Sequence, residues 1–143
     1  MKATGIVRRI DDLGRIVIPK EIRRTLRIKE GDPLEIFTDK EGEVILKKYS
    51  PIGELSEFAT EYAETLNKTT GHIACITDKD TVIAISGASK KEWLEKEVSN
   101  ELERIMEDKE QYISKENNDL SVPITQNENK DRIYNSQVIY PII

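Results

Sequence analysis

Cysteine and histidine occur once each in the 143 residues, as Cys75 and His72. One thiol cannot close a disulfide within the chain, and its place inside an apolar, strand-like run reads as a buried, unreactive sulfur. There is no CxxC pair, no glycine-rich phosphate loop and no nucleophile elbow, and His72 heads an apolar strand as a structural or exposed residue. The glutamates are spaced as solvated helix faces and form no metal cage. The chain therefore does not read as an enzyme, and it calls for no catalytic residue, no metal and no cofactor. Its longest apolar runs, such as "HIACI" and "VIAI", fall far short of the roughly 20 residues of a membrane helix, and "MKATGIVRR" has no secretory apolar core. These absences point to a cytoplasmic protein with no membrane partner.

What is present is a folding composition, 37% hydrophobic and 34% charged, long enough for one domain or two small ones. The formal charge of −5 hides an asymmetry. Residues 1–50 hold 12 Lys or Arg against 9 Asp or Glu, and residues 51–143 hold 10 against 18, so a +3 module precedes a −8 module. A polyanion would be drawn to the first.

In that first module "TGIVRRI" and "RIVI" read as strands joined by "DDLG", whose glycine can take a positive φ. Pro19 suits the first position of a helix, and "KEIRRTLRI" carries Ile22 and Leu26 four apart on one face. Leu34 and Ile36 then alternate with polar neighbours, "DKEG" turns, and "EVILKK" returns as a strand. The order is ββαββ. About 50 residues of this kind bury at most around 60% of their unfolded surface, so a second copy whose hairpins complete one barrel is the simplest remedy.

"YSPIGE" starts a new element, with Ser50 and Pro51 placed to open a helix. Ile52, Leu55, Phe58, Ala59, Tyr62, Ala63 and Leu66 follow at spacings of three and four, an amphipathic helix. "HIACIT" and "TVIAIS" read as strands, Ser89 and Glu92 stand at capping-box spacing, and Leu94, Val98, Leu102 and Ile105 form the stripe of one helix or two. "EDKEQYISKENND" reads as a polar connection, "LSVPIT" as an edge strand with Leu120, Val122 and Ile124 on one face, and "SQVIYPII" as a last strand. An ending on two isoleucines in mid-strand suggests a shortened second module.

The residues that bear chemistry are cations: Arg8 and Arg9 on the first strand, Arg15 after the turn, and Lys20, Arg23, Arg24 and Arg27 along the helix, away from Ile22 and Leu26. Arginine's planar fork grips phosphate or the O6/N7 edge of guanine, and a dimer would carry two such stripes to two half-sites. Against this stand two considerations. A short surface helix is usually arginine-rich merely because it is solvated, and Asp11, Asp12 and Glu21 could neutralise some of the cations. Arg8 also shares an ideal strand face with Ile6 and Ile10, so a twist or bulge is needed to aim it outward.

The stretch "TGIVRRIDDLGRIVIPKEIRRTLRIKEGDPLEIF" with "GEVILKKY" closely resembles the AbrB family of transition-state regulators over residues 1–50. The resemblance implies a swapped-hairpin, dimeric β-barrel that binds double-stranded DNA, with Arg8, Arg15, Arg23 and Arg24 as DNA-contacting residues and Arg9 and Arg27 as additional basic contacts. Further on, "KKYSPIGELSEFATEYAETLN" and "SGASKKEWL" resemble the stage V sporulation regulators of that family. This implies an α+β protein with an AbrB-like DNA-binding domain (1–50), a connecting amphipathic helix (51–70) and a GAF-like α/β sandwich that senses or oligomerises (71–143), truncated at its C-terminus. It further implies a homotetramer built through the C-terminal region that activates or represses sporulation genes in the forespore. The GAF-like domain could take an unidentified small-molecule ligand, although Ile73, Cys75, Ile83, Ile85 and Trp93, which would line its pocket, are the side chains that any core requires. An antitoxin is the other role known for AbrB-like dimers, but it pairs the barrel with a short unpatterned tail, which the second module is not.

Overall fold

The computed structural model describes residues 2–115, 121–128 and 134–142. The chain divides into two compact units, Met1–Tyr49 and Ser50–Ile143. Among the described residues no helix is long and apolar enough to cross a membrane.

The first unit contains a short helix, α1 (Lys20–Thr25), and one hairpin, β1 (Leu34–Thr38) with β2 (Val44–Lys48). The hairpin pairs antiparallel from Leu34 opposite Lys48 to Thr38 opposite Val44. Its turn is held by Asp39, whose carboxylate accepts from the backbone N–H groups of Glu41 and Glu43, each at 2.9 Å. The expected first hairpin needs correction. Among the described residues, 3–10 and 15–18 are not paired as strands, and the link between them is the Asp11–Gly14 turn, closed by Asp11 N–H to the Arg15 carbonyl at 3.0 Å. Ile6, Val7, Ile10, Leu13, Ile16 and Val17 are all exposed, as are Ile36 and Val44 on the hairpin.

Pro19 also differs from expectation. It is the residue before the first helical position, with an extended ψ of 144°, and is buried. The helix is shorter than the pattern suggested because Arg27 turns left-handed at φ 53°. Ile28 N–H returns to the Arg23 carbonyl at 2.7 Å and Arg27 N–H to that of Arg24 at 3.2 Å, closing the last turn in the manner usually reserved for glycine. Arg27 thus lies beyond α1 and not on it.

In the second unit Ser50 caps α2 (Pro51–Glu54) by accepting from Gly53 N–H at 3.1 Å, and α3 (Ser56–Thr70) follows. Then come β3 (Ala74–Thr77), β4 (Val82–Ser86), α4 (Lys90–Trp93), α5 (Asn100–Asp108), β5 (Tyr112–Ser114) and β6 (Gln137–Ile139). The sheets are separate antiparallel pairs, β3 with β4 and β5 with β6. Helix α3 packs on β3 and β4 through Ala59 and Ala63 against Ala84, small residues that let helix and sheet approach closely. Two further clusters complete the core: Val82, Ile85 and Trp93 with Cys75 at their edge, and Val98, Leu102 and Val122. Ile73, by contrast, is exposed.

Three expectations shift here. The "polar connection" contains β5, whose Tyr112 and Ser114 face inward while Ile113 faces out. "LSVPIT" is not a strand: apart from a bridge between Val98 and Thr125, the backbone of Val122 is gripped by the Gln137 side-chain amide, which donates to its carbonyl and accepts from its N–H, both at 2.8 Å. Pro123 has no N–H to extend a ladder, and Leu120 lies outside the described residues. Ser89 precedes α4 but its side chain makes no cap, whereas Ser99 caps α5, accepting from Leu102 N–H at 3.0 Å and donating to the Pro123 carbonyl.

Candidate nucleic-acid interface

All six arginines singled out by sequence lie in the first unit, and local geometry fixes how each is presented. Arg8 and Arg9 are exposed on the extended segment before the turn. Arg24 is exposed in the last turn of α1, where a cation offsets the negative end of the helix dipole, and Lys20 is exposed at the first helical position. Arg23 is half-buried, and among the described residues its Nε, shielded from solvent, meets no hydrogen-bond partner. Arg27 follows in its left-handed turn, also half-buried.

Arg15 is the most closely specified. The Asp11 carboxylate accepts from Arg15 Nε at 2.8 Å with one oxygen; with the other it accepts from the backbone N–H groups of Leu13 at 3.0 Å and of Arg15 at 2.8 Å. Gly14, at φ +73°, allows the turn to close by donating to the Asp11 carbonyl at 3.1 Å. These bonds, the Arg15 backbone N–H first and its side chain second, hold the Asp11 carboxyl below its ordinary value. By sequence Asp11 and Asp12 are alike as neutralisers; the structure separates them, and the signal is an aspartate spaced two and four residues before the amides it accepts from.

In the second unit, an open depression of about 490 Å³ is bordered by Glu57, Thr60, Asp78, Thr81, Lys90 and Glu95. Among the described residues no three His, Cys, Asp or Glu side chains gather closely enough to hold a metal ion. Cys75 stays a thiol: burial, with the Glu128 carboxylate adding to it, pushes its pKa up to about 12.

Residues 54–143 match the family described as stage V sporulation protein T C-terminal, transcription factor, and residues 7–54 match the MazE family of antidote-toxin recognition proteins, bacterial antitoxins. Over the full chain the sequence is 57% identical to stage V sporulation protein T of Bacillus subtilis, covering 78% of that protein. Over 51 residues, 36% of this chain, it is 65% identical to the transition state regulatory protein AbrB of the same organism and covers 52% of it. A solution structure of the N-terminal DNA recognition domain of B. subtilis AbrB is also similar, at 65% identity and a TM-score of 0.30, covering 36% of this chain and 94% of that one.

Proposed function

This chain belongs to the family of stage V sporulation protein T, and we propose that it is a DNA-binding transcription regulator of sporulation genes, activating or repressing them through the arginine surface of residues 1–50. The observation that carries this reading is the coincidence of 65% identity to AbrB over 51 residues with a first unit, Met1–Tyr49, that carries a basic surface and exposed apolar side chains. The match of residues 54–143 to a transcription-factor family supports the same role for the rest of the chain. It acts where the chromosome lies, in the cytoplasm, and within the forespore.

Arg8, Arg15, Arg23 and Arg24 are the proposed DNA contacts, with Arg9 and Arg27 as additional ones. Two copies exchange their N-terminal segments so that residues 3–10 and 15–18 of each complete a swapped-hairpin barrel with the β1–β2 hairpins. That arrangement pairs the open edges and covers the exposed valines and isoleucines. It also sets two arginine surfaces across a two-fold axis, as two half-sites require. The three parts are then an AbrB-like domain (1–50), a connecting helix (51–70) and a GAF-like domain (71–143) that joins dimers into a tetramer and offers a place for a small-molecule ligand.

Arg24→Ala is the direct test, because Arg24 is exposed and its loss leaves the core intact. Titrated by fluorescence anisotropy into duplex DNA at several salt concentrations, the variant should bind all sequences more weakly, with the salt slope reduced by about one unit if a phosphate contact is lost. Unchanged affinity and slope would reduce α1 to a solvated surface helix.

A second reading, an antitoxin, is favoured by the MazE match of residues 7–54. Purification with a stoichiometric toxin bound would establish it in place of the regulator.

A further inference from the structure

A carboxylate in the middle of a surface meant for phosphates repels the ligand unless it does something else. Among the described residues Asp12 makes no ion pair with an arginine, whereas Asp11 spends both its oxygens on the Asp11–Arg15 turn. Its ion pair with Arg15 forms while the Arg15 side chain remains 70% exposed. Through Nε the carboxylate takes the inner edge of the guanidinium and leaves the outer Nη pair, the end-on fork that suits phosphate or guanine. Without that contact the long side chain of Arg15 would sample many rotamers and would have to be ordered when DNA binds.

We propose that Asp11 is a positioning residue of the DNA interface, orienting Arg15 so that its Nη groups meet the duplex already aligned. The proposal rests on Arg15 being a DNA contact. It also reverses the sign that simple electrostatics predicts, since removing a negative charge from a basic surface should tighten binding to a polyanion.

Asp11→Asn isolates the effect. Its amide oxygen can still accept from the Leu13 and Arg15 backbones, so the turn is retained, while its NH₂ cannot accept from Arg15 Nε. The full-length chain, the Asp11→Asn and Arg15→Ala variants and the double variant are titrated into an A·T-rich duplex of about three helical turns. The expected result is a loss of about threefold to tenfold in affinity for Asp11→Asn with the salt slope unchanged, and no loss from Asp11→Asn once Arg15 is alanine. If Arg15→Ala weakens binding but Asp11→Asn binds as tightly as the parent or more tightly, the positioning role is wrong and the contact role of Arg15 stands. If Arg15→Ala binds like the parent, the contact role itself is wrong and the proposal falls with it. A measurement on the unaltered protein guards against a variant that misfolds: the Arg15 Nε–H should exchange with solvent more slowly than those of Arg8 and Arg9, and equal rates overturn the proposal.

Discussion

Burial and a neighbouring carboxylate together keep the Cys75 thiol protonated, with a pKa of about 12, so it should resist alkylation by iodoacetamide at pH 8 in the folded protein and react once denatured. Equal rates in both states would show the thiol to be open. At this scale the sequence was informative about residue type and poor about partner. A lone cysteine in an apolar run reads as interior, and Arg8, Arg15 and Arg24 stand out as cations in any reading. That Asp11 grips Arg15 while Asp12 does not depends on the backbone path through Gly14, which places one carboxylate, and only one, at hydrogen-bond distance from Nε.

Elements were legible where their pattern and their ends agreed. The β1–β2 hairpin and α3 follow alternation and three-to-four spacing, and Gly71 ends α3 in a left-handed conformation at φ 72°, as a glycine is suited to do. Elements were missed where a side chain replaced a backbone partner. Gln137 satisfies Val122 in place of a strand, and Ser99, not Ser89, caps the helix that follows it. Ser99→Ala should therefore destabilise the chain by about 1–2 kcal/mol, since it removes a cap and leaves the Pro123 carbonyl without its donor. Chemical denaturation measures this, and the same change at Ser89 should be close to neutral.

For the whole molecule, the quantity that matters is apolar surface left uncovered in the first unit. Val7 is 86% exposed, Val17 69%, Val44 68% and Ile36 67%. At roughly 25 cal/mol per Å² such side chains favour association strongly, and the unpaired segments beside them supply the hydrogen bonds that would direct it. The intact chain should sediment at no less than twice the mass of one copy, and Val17→Asp should shift it toward smaller species and weaken DNA binding with it. A parent chain that sediments as one copy would remove the basis for the interleaved barrel.

The sequence by itself determined the charge division between the two halves and the family. These are properties of composition, spacing and identity, which need no coordinates. Only the tertiary structure decided that residues 3–10 and 15–18 find no ladder among the described residues, that Arg27 follows α1 in a left-handed turn, and that Asp11 is committed to Arg15. Each of those depends on where the backbone goes between residues, and periodicity records which face a side chain prefers but not which atom it meets there.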